Sequence, residues 1–162
     1  ELSKTGKKIM KLKVPANKLN DYMNKEIGHS DWFSVDQSQI NKFADVTIDH
    51  QFIHVDEEQS KKGPFGQTIA HGFLTLSMLT HLTETCGLIP EGTVMGINYG
   101  FDKVRFINPV KVNSRIRASV KPLSAVERSP GQWLLKSEVN VEIEDEEKPA
   151  LVSEWLSLVF VQ

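Results

Sequence analysis

The chain has 162 residues, 40% hydrophobic and 25% charged, with 19 basic and 21 acidic side chains giving a net charge of -2. That suits one domain with a sizeable core and carries no basic stripe interleaved with aromatics of the kind that holds nucleic acid. A lone cysteine, Cys86, excludes an internal disulfide, and the absence of an apolar run of about 18 residues argues against membrane insertion, so a cytoplasmic protein is expected.

In chain order, residues 1–13 carry several lysines without the apolar stretch and small-residue cleavage site of a signal peptide, and they read as an arm preceding the domain. Leu19, Tyr22, Met23 and Ile27 recur at near-helical spacing, which predicts a first helix over 16–27 stopped at Gly28. Ser34-Val35-Asp36-Gln37 offers an N-cap to a second helix carrying Ile40, Phe43 and Ala44. A third short helix follows from Val55 to Ser60, acidic at its start and ended before Gly63-Pro64. From His71 to Cys86 the apolar residues Phe73, Leu74, Leu76, Met78, Leu79 and Leu82 cover most of a helix circumference, which predicts a long buried helix with Gly87 as its C-cap.

Beyond Thr93 the pattern turns to alternating, β-branched residues in four stretches, roughly 93–106, 111–126, 132–144 and 150–161. Breaks at Asn108-Pro109, Ser129-Pro130-Gly131 and Glu146-Glu147-Lys148-Pro149 predict turns between antiparallel neighbours. The fold class is α+β, a buried helix followed by an antiparallel sheet.

The chemistry concentrates in Asp49-His50-Gln51-Phe52-Ile53-His54, where a carboxylate and an imidazole stand five positions apart in a turn-like segment. Together they can move protons to and from a small molecule; alternatively, Asp49 caps the turn and His54 is a hydrogen-bonded core histidine. Gly63-Pro64-Phe65-Gly66 and Ile69-Ala70-His71-Gly72 then form a loop delivering a helix start. Gly72, lacking Cβ, lets a ligand reach its backbone amide, or it is simply a packing glycine. His50 and His54 invite a metal reading. Gln51 stands where a zinc protease has its glutamate and no cysteine ligands accompany them, so no metal is expected.

These blocks resemble the MaoC-like dehydratases, the R-specific enoyl-CoA hydratase branch of the hotdog superfamily, whose signature runs Asp, any residue, Asn or Gln, a spacer, a branched aliphatic and His. Asn98-Tyr99-Gly100, Lys103-Val104-Arg105-Phe106 and Pro109-Val110 extend the resemblance over roughly residues 30–160. Many members have Gly before the Asp and Asn-Pro after it, where this chain has Ile48 and Gln51-Phe52, so the turn geometry can differ. The resemblance implies a single hotdog domain, an antiparallel sheet wrapped around a long central helix, pairing as a homodimer with acyl-CoA tunnels near the interface. It implies addition of water to a trans-2-enoyl-CoA to give an (R)-3-hydroxyacyl-CoA, with no cofactor beyond the coenzyme A of the substrate.

Asp49 and His54 would then activate water and protonate the alpha carbon, with the two roles left unassigned because a coupled pair titrates as a unit. Gly72 would give its N–H to the thioester oxygen, as the matching family glycine does. Ser77 matches a family serine that supports the dyad, although a helix serine also bonds its own backbone. Gln51 is a candidate to orient the turn, and His71 to fix the loop entering the helix. Lys103 and Arg105 offer charge-assisted partners to coenzyme A phosphates, or are solvated sheet-edge charges.

Two other functions compete. A hotdog thioesterase needs a carboxylate in or near the central helix, where the only acidic residue is Glu84 at the far end. A non-catalytic acyl-CoA-binding subunit would have lost the dyad, whereas Asp49, His54 and Gly72 are intact.

Overall fold

The computed structural model describes residues 11–162. A short strand β1 (Leu12–Val14) and a 3-10 helix (Ala16–Tyr22) precede two two-residue strands, β2 (Gly28–His29) and β3 (Phe33–Ser34). Three helices follow: α1 (Gln37–Thr47), α2 (Phe52–Val55) and α3 (Glu57–Lys61). Then come α4 (Gly72–Ser77), α5 (Leu79–Thr83) and β4 (Leu88–Pro90). The long strands β5 (Thr93–Phe106), β6 (Arg115–Ser129), β7 (Gln132–Ile143) and β8 (Leu151–Val161) complete the chain.

The main sheet runs β2-β6-β7-β8-β5, with β3 also on β6, and all its pairings are antiparallel. A separate parallel pair joins β1 to β4. The arm expected over 1–13 lies outside the described residues as far as residue 10, and Leu12 and Lys13 belong to β1.

Alternation along the strands sends Ile116, Ala118 and Val120 of β6 and Val139, Val141 and Ile143 of β7 to one face. There they meet Leu74, Leu79 and Leu82 of α4 and α5 in one buried cluster. The opposite face carries cross-strand ion pairs: Arg115 with Glu144, Arg117 with Glu142 at 2.6 Å, Lys121 with Glu138 at 3.0 Å. Such partly exposed pairs fix register more than they stabilise. The sheet therefore curls around the helix pair, as expected of a hotdog.

Two helices depart from expectation. The helix expected over 16–27 is a 3-10 helix ending at Tyr22, with Leu19 its one buried residue. Asn24 turns left-handed (φ 59°) and donates to the Pro122 carbonyl, and Ile27 donates to that of Val120, so the edge of β6 captures this segment. The central helix is divided at Met78 (φ -71°, ψ -12°), although Met78 N–H to Leu74 and Leu82 N–H to Met78 carry the hydrogen bonding across the joint. Gly87 closes it by an N–H to the Thr83 carbonyl at 3.0 Å, without the left-handed cap.

The strand expected to start at 111 begins at Arg115. Residues 111–114 form a tight turn instead, with Asn113 left-handed (φ 65°). At the far edge, β5 pairs with β8 on one side and, among the described residues, has no strand on the other. It exposes Val94, Met95, Ile97 and Tyr99, each 45% to 58% accessible. No helix among the described residues is long and apolar enough to cross a membrane.

Candidate active site

The site begins where α1 stops. Asp36 caps the start of α1, its side chain accepting the Gln39 N–H at 2.8 Å, which stabilises a helix by about 1 kcal/mol. At the other end Ile48 adopts φ 61°, ψ 28°, and Ile48 and Asp49 both donate to the Ala44 carbonyl. A left-handed residue reverses the chain abruptly, and Asp49 emerges exposed at the bend. Three residues later α2 begins, and its single turn carries His54 inward to 6% exposure.

His54 is fixed by backbone. Its Nδ1 lies 2.7 Å from the carbonyl oxygen of Ile69, which can only accept, so Nδ1 bears the proton and Nε2 is left as a bare acceptor. Burial, the largest influence, lowers the pKa of this imidazole below its ordinary value. The Ile69 hydrogen bond opposes that, the charge of His71 reinforces it and that of Asp49 opposes it. The ring is thereby kept neutral, with its free nitrogen ready to take a proton.

His71, immediately before α4, is 3% exposed and stacks on His54, ring centroids 3.8 Å apart. Its Nε2–H donates to the backbone carbonyl of Asp49 at 3.0 Å, and its buried Nδ1 has no partner among the described residues. An oxygen of Asp49 and one nitrogen from each imidazole lie within 4.8 Å of one another. The stacked rings, only 22° from parallel, hold their lone pairs in two nearly parallel planes, and one nitrogen of each ring already donates. A shared metal ion needs those lone pairs to converge, so the geometry suits proton chemistry better.

His54 opens onto a cleft of about 370 Å³ whose walls include Ile53, Ala70, Gly72, Thr75, Phe106 and Asn108. Gly72 is the first residue of α4, so its N–H has no acceptor within the helix. A Cβ at this position would meet the Phe106 ring at 3.0 Å, so a side chain would displace the ring and narrow the cleft. Asp49, His54, His71 and Gly72 are thus brought together.

The other candidates are not. Ser77 is exposed and donates to its own helix at the Phe73 carbonyl, while Thr75, buried at 4%, places its side chain on the cleft wall. Gln51 acts through its backbone: its carbonyl accepts the His54 N–H at 3.0 Å, and its N–H makes a long 3.4 Å contact with the Asp49 carboxylate. His50 turns outward to Asp45 at 2.8 Å.

Lys103 and Arg105 lie on the sheet face opposite to Phe106, which packs by Gly72; Arg105 donates to the carbonyl of Val104. Reading the sequence missed Gln37, whose amide bonds the His54 carbonyl at 2.7 Å, and its partner Thr68. Both are too distant in sequence to show a pattern. Thr75 lies three positions from Gly72 on the same helix face, a spacing that would have signalled it.

Residues 18–142 match the family described as the MaoC like domain. The chain is 44% identical over 138 residues to nodulation protein N of Rhizobium leguminosarum bv. viciae, covering 85% of this chain and 86% of that protein. It is 44% identical over 129 residues to 3-hydroxyacyl-thioester dehydratase Z of Mycobacterium tuberculosis, covering 80% and 85%. In structure it is similar to the unliganded R-hydratase PhaJ1 from Pseudomonas aeruginosa, with a TM-score of 0.70 at 19% identity over 86% of this chain and 83% of that one. With the family matched across most of its length, the chain belongs to the MaoC-like dehydratases of the hotdog fold.

Proposed function

We propose that this protein is a cytoplasmic R-specific enoyl-CoA hydratase that adds water to a trans-2-enoyl-CoA to give an (R)-3-hydroxyacyl-CoA, and that runs the reverse dehydration. The observation that carries the reading is the buried His54 imidazole, its Nδ1–H held by the Ile69 carbonyl so that Nε2 is left as an acceptor, in a cluster with Asp49 and His71 in which one polar atom of each lies within 4.8 Å of the others. The relative named 3-hydroxyacyl-thioester dehydratase Z supports the substrate class.

The chemistry follows from those positions. A water between Asp49 and His54 gives one proton to Nε2 as its oxygen bonds the beta carbon. The carboxylate charge of Asp49 favours the imidazolium that forms. The double-bond electrons move toward the thioester carbonyl, whose oxygen takes up the charge against the Gly72 N–H. The dyad then returns a proton to the alpha carbon, which restores its starting state and leaves one water added across the bond. No metal or redox cofactor enters. The apolar edge strand β5 supports a homodimer in which a second copy covers Val94, Met95, Ile97 and Tyr99.

The test is to supply purified protein with crotonyl-CoA and a medium-chain trans-2-enoyl-CoA, follow loss of the conjugated absorbance, and identify the alcohol with a stereospecific dehydrogenase. Formation of the R alcohol supports the proposal. Release of free coenzyme A without hydration would replace it with a thioesterase.

A further inference from the structure

The last turn of a helix leaves carbonyls without partners, and α2 is so short that His54 itself carries one of them. That carbonyl is satisfied from outside, by the side-chain amide of Gln37 on α1 at 2.7 Å. The second amide hydrogen of Gln37 goes to Asn41 at 2.9 Å, and its oxygen accepts the hydroxyl of Thr68 at 2.5 Å. Thr68 is 1% exposed, so its hydroxyl has little recourse to water.

Thr68 is also the neighbour of Ile69, whose carbonyl holds the His54 ring and whose N–H returns to the Ile53 carbonyl at 2.9 Å. Residues 68–70 are held from the other side by Val112 N–H to Thr68 and Ala70 N–H to Val110, so this strip is anchored to the body of the domain. Gln37 therefore bridges the backbone of His54 to the segment that orients its ring. The circuit runs from the His54 carbonyl through Gln37, Thr68 and Ile69 back to the His54 Nδ1.

We infer that Gln37, locked by Thr68, is a positioning residue that fixes His54 in one tautomer and aims its free Nε2 at the cleft. The inference rests on the hydratase reading for its kinetic consequence, although the ring state of His54 can be observed without turnover. Asp49 and His71 are the titratable neighbours that the ring faces.

The first readout is nitrogen-15 NMR of the imidazoles in the full-length protein, with His54 assigned by a His54→Gln variant. In the unaltered protein His54 should show a single Nδ1–H tautomer. Gln37→Ala should give a tautomer mixture and move the His54 titration toward that of a free imidazole. Thr68→Val, which removes only the hydroxyl donor, should do the same to a smaller degree, and Thr68→Ser should restore the original spectrum.

The second readout is kinetic. A misplaced base lowers kcat by about tenfold or more while KM changes little, because Gln37 is not among the residues that line the cleft. Should Gln37→Ala fail to fold, the Thr68→Val and Thr68→Ser pair decides the matter. An unmoved His54 spectrum in Thr68→Val or Gln37→Ala overturns the inference, whatever the rates. If no enoyl thioester is hydrated by the unaltered protein, the hydratase proposal fails while the NMR arm still decides the role of Gln37.

Discussion

His71 lies flat against His54, centroids 3.8 Å apart, and at the same time ties the backbone of Asp49 through an Nε2–H bond of 3.0 Å. One side chain thus touches both members of the dyad. His71→Phe keeps a flat ring but loses the tether and the repulsive charge that helps to hold the His54 pKa down. Turnover should fall about tenfold through loss of alignment, and the acid limb of the rate profile should move to higher pH. A profile superimposable on that of the unaltered protein would show that the stack is only packing.

Asp49→Asn and His54→Gln each remove one half of the proton exchange. A loss of about 100-fold or more in kcat is expected from either, the usual contribution of a positioned acid or base. Because Asp49 is exposed, Asp49→Asn should leave the thermal midpoint nearly unchanged. Near-normal turnover in either variant would exclude that residue from the chemistry.

The depressed pKa of His54 has a sign that can be checked in stability as well as in rate. Folded His54 refuses a proton that the unfolded chain accepts at about pH 6.5, so the unfolded state binds more protons below that pH. Stability should therefore decline as pH falls from about 6.5 toward the lower folded value, and His54 should contribute no further change at higher pH. Denaturant titrations of the unaltered protein and of His54→Gln across this range isolate the contribution. Parallel pH dependences would refute it.

Ile48 occupies left-handed backbone space, where a β-branched residue is strained, and its side chain is 82% exposed. Burial in this chain therefore does little to offset the strain. Ile48→Gly should raise stability by up to about 1 kcal/mol, the left-handed penalty less the entropy that glycine loses on folding. Chemical denaturation would measure it, and a destabilised variant would show that the isoleucine makes a compensating contact, for instance across an assembly.

Burial pushes the Cys86 thiol up to about 11, against a weaker opposing pull from Lys11. At pH 8 very little thiolate is present, and access is blocked as well. Iodoacetamide should leave the folded protein unlabelled and modify it fully in denaturant. Rapid labelling under native conditions would place this thiol at the surface.

The legible parts of the molecule were those encoded at short range. Asp49 and His54 stand within six residues, and the alternation of Val139, Val141 and Ile143 needs only local pattern, so dyad and sheet could both be read. Facing was harder. Phe101 and Val104 both pack toward the core although they differ in parity, because a bulge lies between Phe101 and Lys103. That one extra residue decides which side Lys103 and Arg105 occupy, and nothing local announces it.

The choice between Ser77 and Thr75 likewise depends on how α4 rolls against the sheet. The first helix stops at Tyr22 because the residues after it are captured by β6, more than ninety residues downstream. The Gln37 bridge spans seventeen residues to His54 and thirty-one to Thr68. Only the folded chain brings those three together.

Among the described residues one flank of β5 is open, and a homodimer formed there would tie the identity of the folded state to its abundance. If a second copy supplies the missing neighbour along those fourteen residues, folding and association become one equilibrium, and the molecule has no stability that can be quoted without a concentration. Each tenfold dilution would then remove about 1.4 kcal/mol from the apparent free energy of the pair. Expression level would thus act on this protein twice, setting how much of it there is and how much of that holds together.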